Sequence, residues 1–343
     1  MKKVIVLQDW GCWLRKSGER FVVGIGKDKS KKREYPAGNV DMIVVSNPST
    51  SLTVSALKLA VDNKIPVFFT YSSGYPYAVL FPIVSTGSAR TRMEQYLARE
   101  DKRGLELAKG FATGKLLNQY YLLMSFSRYR RKRVPEKAKE LEERALKIRE
   151  IVDEVKKVSG DKLTFGIRTK LMSLESRGAE VYWDAISRII PETFNFVRRE
   201  KRGATDPINS LLNYGYGCLL ARVTTAIFYV GLDPYAGYLH VDRAGRESLA
   251  LDLMEEFRQQ TVDRVVLRLI LTRTVKEDAV DSEGKLTKKA ISSLLEAFEE
   301  RLSTFVYLGS RRLKVGTAIK QQARLIVRHI LGNEKYSPFY LRY

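Results

Sequence analysis

Cysteine and histidine are scarce in this 343-residue chain, and acids are outnumbered. Its two cysteines, Cys12 and Cys218, are too few for a disulfide framework or a cysteine zinc cluster, and they fit a reducing cytoplasm. No uninterrupted apolar run approaches the ~20 residues of a membrane-spanning helix, and no signal peptide or lipidation motif is evident, so no membrane role is expected. Internal repeats and low-complexity tracts are also lacking. Asp and Glu total 39 against 60 Lys and Arg, a net charge of +21. Such a field attracts polyanions, and nucleic acid is the first partner to consider ahead of a generally basic surface or an anionic membrane. With 44% hydrophobic residues the chain can bury a full core, and its length suggests two domains. The interleaved Glu, Lys and Arg also resemble a thermophile's surface.

Short apolar runs broken by turns fill the first 82 residues. Val4 to Leu7, Phe21 to Val23, Met42 to Val45 and Val67 to Phe69 predict strands, with turns at Ser17-Gly18 and at Pro36 to Asn39. One helix is expected from Thr53 to Asn63, where Leu57 and Val61 fall four apart, and Ser85 to Ser88 reads as a linker. Beyond it, spacings such as Leu141, Ala145, Ile148 and Val152 after Pro135 are helical. The expected class is therefore α+β: a small β-rich N-terminal domain, residues 1–86, followed by a larger all-α C-terminal domain, residues 90–343. The basic run Arg128 to Arg133, with Tyr129 inside it, could grip phosphates and stack a base, although such a run is commonly a solvated helix end.

Chemistry-bearing residues fall on three segments of the helical part. Leu171, Ala179, Tyr182 and Ile186 lie at −4, +4, +7 and +11 from Glu175, which puts this carboxylate in the middle of an apolar stripe. A charge there needs an ion-pair partner or a metal, and Gly178 one turn on admits another backbone or a ligand. An arginine from another helix is the ordinary alternative. His240 follows the Gly/Pro-rich segment Gly231 to Gly237, which reads as a loop, a usual place for ligands. His329, within a helical run, reads as structural. The third segment, Ser248 to Arg258, carries Asp252 and Glu255 on one helical face, with Glu256 as a further candidate. Two acids one turn apart repel, and a cation would turn that repulsion into binding. Oxygen ligands with one imidazole suit Mg2+ or Mn2+. The alternative is neutralisation by Arg258 or Arg246.

Several longer motifs then carry a resemblance. Leu174 to Ala179 with Tyr182, Asp206 to Tyr216, Gly231 to Tyr235 leading to His240, and Ser248 to Arg258, joined by Lys115 with Asn118-Gln119, resemble the CRISPR-associated adaptation endonuclease/integrase family, Cas-one, over nearly the whole chain. The resemblance implies one divalent metal held by Glu175, His240 and Glu255. Many members carry aspartate at the last position, so Glu255 departs from the pattern in type but not in charge, and its longer side chain leaves open whether Asp252 shares the coordination. It further implies insertion of spacer DNA into a CRISPR array by attack of a DNA 3′-hydroxyl or water on a phosphodiester, and cleavage of branched or single-stranded DNA. Homodimers, joined by a smaller partner, Cas-two, are implied as well; edge strands of the N-terminal domain are expected to form the dimer contact. Arg177, Arg243, Arg246 and Arg258 are candidate DNA contacts.

Two rivals stand beside this reading. His240-Val241-Asp242-Arg243 fits the His-x-x-Arg of tyrosine recombinases, which need no metal and pass through a covalent tyrosine-DNA intermediate. A non-catalytic nucleic-acid scaffold would use the basic surface alone and leave the acids as ion pairs.

Overall fold

A computed structural model describes residues 3–26, 32–71, 74–80, 89–201, 203–281, 284–308 and 310–342. Two compact units emerge: residues 1–85 together with 213–221, and residues 86–212 together with 222–343. The expected linker Ser85 to Ser88 lies outside the described residues.

The first unit holds two four-stranded sheets. One runs in the order β1 (Lys3–Leu7), β5 (Val40–Val45), β7 (Val67–Thr70), β8 (Pro76–Leu80), with β1, β5 and β7 parallel and β8 antiparallel at the edge. The other runs β4 (Arg33–Pro36), β3 (Arg20–Ile25), β2 (Cys12–Ser17), β6 (Ser51–Leu52). Gly18, at φ +54, makes the turn between β2 and β3. β5 is apolar on both faces because both are covered: Ile43 and Val45 join the core around Leu7, Phe21 and Leu59, while Met42 and Val44 pack with Phe68 and Ala221. α1 (Val54–Asp62) is capped by the Thr53 side chain, which accepts from the Ala56 amide, so it starts and stops within a residue of expectation.

The second unit is mostly helical: α2 (Ala89–Leu97), α3 (Lys102–Arg130), α4 (Pro135–Lys157), α5 (Phe165–Ser187), the flanks of α6 (Pro207–Tyr229), α7 (Ser248–Glu255), α8 (Arg264–Leu271), α9 (Lys288–Ser303) and α10 (Val315–Ile330). Pro135, with its φ preset, opens α4, and Leu141, Ala145, Ile148 and Val152 are all buried on the face packed against α3 and α5. Asp206 caps α6, accepting from the Asn209 amide at 2.8 Å, and Pro207 follows at the first helical position. A single π-helical turn, Gln259–Asp263, joins α7 to α8. Among the described residues the unit departs from all-α at an antiparallel hairpin between α9 and α10, β9 (Phe305–Leu308) and β10 (Arg311–Lys314), and at an isolated antiparallel bridge between Val280 and Leu286. Among the described residues no helix is long and apolar enough to cross a membrane.

Candidate metal centre

Glu175 sits on α5 at the border of the apolar stripe rather than in its middle: Leu171, Tyr182 and Ile186 are buried, but Glu175 and Ala179 are half-buried. Gly178 decides what reaches it. A Cβ at Gly178 would stand 2.1 Å from Leu116 Cδ2, so the missing side chain is the space Leu116 of α3 occupies. Close packing of α3 on α5 brings Lys115, the neighbouring residue along α3, to the carboxylate. Its ammonium hydrogen-bonds Glu175 Oε1 and lies 2.8 Å from Glu255 Oε2 on α7. The partner expected as an arginine is therefore a lysine, and Glu175 and Glu255, both singled out in sequence, share it.

Glu255 is buried and meets a second cation, Arg258, whose Nε lies 3.1 Å from Glu255 Oε1. Burial alone would raise the Glu255 carboxyl, but Arg258, Lys115 and His240 outweigh it and hold the group well below the ordinary carboxylate range. Burial likewise disfavours the Lys115 charge, yet Glu255 and Glu175 raise that ammonium above its ordinary value. Lys201 lies on the segment before α6 and feels the same cluster; partial burial, then Arg258, push its ammonium down. Asn209 fixes that segment, donating to the Arg198 carbonyl at 2.8 Å and accepting from the Glu200 amide at 2.8 Å.

His240 is held by its own loop. Asp252, fully buried on α7, accepts from the amides of Tyr238 (2.6 Å), Leu239 (2.9 Å) and His240 (2.8 Å) and pairs with His240 Nδ1 at 2.6 Å. A carboxylate so placed accepts from Nδ1–H and leaves the Nε2 lone pair for another partner. The two α7 acids, three residues apart, thus serve different ends, since Asp252 orients the histidine loop and Glu255 faces Lys115. From α2, buried Gln95 clamps the other end of the loop, donating to the Asp233 and Ala236 carbonyls at 2.8 and 3.0 Å and accepting from the Asp233 amide at 2.8 Å. Sequence reasoning missed Gln95, whose partners lie some 140 positions away, and it reached Lys115 only through the resemblance.

Glu256 points away from this cluster. It is fully buried, 2.6 Å from the Tyr336 hydroxyl, and accepts from Gln322 Nε2 (2.9 Å) and the Phe339 amide (2.8 Å). Burial dominates over these hydrogen bonds and raises its carboxyl to about 8. A carboxyl protonated when folded but ionised when unfolded binds the extra proton in the native state, so between its ordinary 4.5 and about 8 stability should fall as pH rises. Glu256→Gln keeps the neutral shape and should flatten that decline. Thermal midpoints recorded from about pH 5 to about pH 8 check this, and a variant with the wild-type slope would contradict it.

The candidate DNA-contacting arginines part company. Arg177 grips Glu154 of α4 through two hydrogen bonds of 3.0 and 3.1 Å; Arg243 is exposed and Arg246 half-buried in the His240 loop; Arg258 is engaged at Glu255. In the basic run, Arg131 pairs with Glu142, while Tyr129 is 69% exposed with the Arg133 guanidinium over its ring at 5.6 Å. In the recombinase-like tetrad, Asp242 pairs with Arg99. His329 is structural as expected: its Nδ1 accepts from the Tyr336 amide at 3.1 Å, which leaves Nε2 to donate to the Arg103 carbonyl at 3.2 Å.

The donor set of Glu175, Glu255 and His240 fits a hard divalent cation in chemistry: two carboxylates, one of them held ionised, and one imidazole with Nδ1 already engaged. Among the described residues no three His, Cys, Asp or Glu groups stand together as a ready metal cage. At this place Lys115 is the cation shared by the Glu175 and Glu255 carboxylates.

The model of the family described as CRISPR associated protein Cas1 matches residues 5–300. CRISPR-associated endonuclease Cas1 1 of Archaeoglobus fulgidus is 37% identical over 323 residues, 91% of this chain and 92% of that protein. CRISPR-associated endonuclease Cas1 3 of Thermus thermophilus is 34% identical over 346 residues, 99% and 97% of the two chains. Among solved structures, a casposase bound to integration product superposes with a TM-score of 0.81 at 24% identity, covering 98% of this chain and 93% of that one. A CAS1 protein from Thermotoga maritima gives 0.78 at 23% identity, covering 98% and 100%. These likenesses establish the fold of a strand-rich region followed by a mostly helical one.

Proposed function

Because this chain belongs to the Cas1 family of CRISPR associated proteins, we propose that it is a divalent-metal-dependent DNA endonuclease and integrase of CRISPR adaptation, acting on branched, double-stranded and single-stranded DNA. The observation that carries the reading is that Glu175 and Glu255, from distant segments, share the Lys115 ammonium, while the Asp252-held His240 adds to the field that keeps Glu255 ionised.

In this proposal Glu175, His240 Nε2 and Glu255 hold Mg2+ or Mn2+. The bound ion would lower the pKa of a water or DNA 3′-hydroxyl and offset charge on the attacked phosphate. The chain's own residues do the rest. Asp252 fixes the tautomer and direction of His240, and Gln95 holds the loop that carries it. Arg258 and Lys115 keep Glu255 ionised. Lys201 and Lys115 are cations near the place where a phosphate would arrive. Cleavage and strand transfer would differ only in which hydroxyl attacks.

Incubating the protein with branched DNA, with and without divalent metal, tests the reading directly. Metal-dependent cleavage or joined product is expected, whereas a covalent protein-DNA adduct formed in chelator would favour the recombinase alternative, and binding without chemistry the scaffold.

Phosphate contacts should dominate affinity, given the net charge of +21. Binding is therefore expected to weaken by orders of magnitude between ~50 and ~200 mM salt, as counterion release requires. Anisotropy titrations measure this, and salt-insensitive binding would speak against it. The same reading includes a homodimer formed through the strand-rich unit, and Cas2 as partner; a solved assembly sharing the fold is described as a Cas6-RT-Cas1–Cas2 complex. Sedimentation of the full chain should show a dimer, and a monomer at micromolar concentration would count against that part.

A further inference from the structure

The hairpin β9–β10 presents two unlike faces. Val306 and Leu313 lie opposite each other and are buried. Strand alternation sends their neighbours the other way, so Phe305, Tyr307, Arg312 and Lys314 share the outer face, with Phe305 opposite Lys314 and Tyr307 opposite Arg312. All four are exposed, Phe305 at 51% and Tyr307 at 69%. The Arg312 guanidinium stands 4.5 Å and the Lys314 ammonium 5.6 Å from the Phe305 ring centre. Among the described residues neither cation has a carboxylate partner.

Two exposed rings opposite two cations that, among the described residues, have no carboxylate partner have a cost in water that core packing does not explain. Buried positions 306 and 313 already anchor the hairpin. Rings give base stacking and cations give phosphate contact, the pairing by which single strands are held without sequence readout. The hairpin is also tied to the site's side of the unit: four residues before Phe305, Arg301 Nε of α9 donates to the Gln260 carbonyl at 2.6 Å, in the π-helical turn that follows Glu255 and Arg258.

We propose that the outer face of β9–β10 is a single-stranded-DNA platform, with Phe305 and Tyr307 stacking unpaired bases and Arg312 and Lys314 contacting the flanking phosphates. The assignment rests on the DNA-processing reading above and goes beyond it by naming where an unpaired strand of the substrate lies.

The test uses the full chain with fluorescent oligonucleotides of three kinds: single-stranded, duplex, and a single strand of abasic sites. Phe305→Ala with Tyr307→Ala should weaken binding of the base-bearing single strand by ~10-fold or more, and leave duplex and abasic strand within about twofold of wild type. Arg312→Ala with Lys314→Ala should weaken all three and reduce the single-strand salt slope by about 1.4. Unchanged circular dichroism and thermal midpoint, expected for exposed positions, exclude misfolding. Wild-type single-strand affinity in the aromatic pair, or equal losses on all three ligands, overturns the platform. Metal-dependent cleavage by the wild-type protein is read in parallel. Loss of that chemistry alone would remove the enzymatic reading and leave the platform standing, whereas intact chemistry with an indifferent hairpin would do the reverse.

Discussion

Glu175→Ala, His240→Ala and Glu255→Gln are each expected to remove metal-dependent cleavage and strand transfer, by more than the ~10- to 100-fold typical of groups that only support a metal ligand. DNA affinity should stay or tighten slightly, because the basic surface is untouched and a negative charge near the phosphates is deleted in two of the three. The structure dictates the choice of substitution. Glu175 shares Lys115 with Glu255, so its removal leaves that ammonium paired. Glu255 is buried between Lys115 and Arg258, and truncating it to alanine would leave two cations without it, a change of ~3–5 kcal/mol in breaking buried pairs. Glutamine keeps the shape and separates chemistry from folding. Glu255→Asp should retain part of the activity, since charge survives and reach is lost. Product formation on branched DNA, beside anisotropy for affinity, gives both readouts; wild-type turnover in Glu175→Ala would refute the assignment.

Asp252→Ala should have the largest effect on folding. From sequence, Asp252 could be a mild outer partner of the site, but its carboxylate accepts three backbone amides and the His240 imidazole while fully buried. Each orphaned buried donor costs roughly 1–3 kcal/mol, so a loss of about 3–5 kcal/mol and a drop in thermal midpoint on the order of 10 °C are expected. Activity should fall with it, because the loop no longer fixes the imidazole. Asp252→Asn supplies acceptor but no charge, and should regain part of the stability while leaving His240 in the wrong tautomer. Calorimetry with and without substrate DNA checks the pair; an Asp252→Ala protein as stable as wild type would contradict the account.

How much of this was legible follows from what each signal is made of. β5 and β7 were readable as continuous apolar runs, and α4 as a stripe after Pro135, because burial writes itself into local periodicity. The strands β2, β4 and β8 are largely polar or half-exposed, so alternation is faint, and β9–β10 is too short to stand out between two helices. In the site, the offset of Glu175, the loop around His240 and the acids of α7 could each be singled out locally. Their division of labour could not. That Asp252 serves the loop, that Glu255 meets Lys115, and that Glu256 turns to Tyr336 and Phe339 depends on contacts between segments far apart in sequence. Lys115 is followed by Leu116 and Leu117 in an apolar stretch of α3, a signal that gains meaning only once Gly178 is known to admit that helix.

The central claim is that Glu175, His240 and Glu255 form one divalent-metal site. Titrating the purified chain with Mn2+ and following free ion by electron spin resonance measures it without relying on DNA chemistry. Wild type is expected to bind a single tight ion, with affinity weakened by at least ~10-fold in Glu175→Ala, His240→Ala and Glu255→Gln alike and little changed in His329→Ala. Mn2+ binding that is the same in wild type and in all three site variants would contradict it.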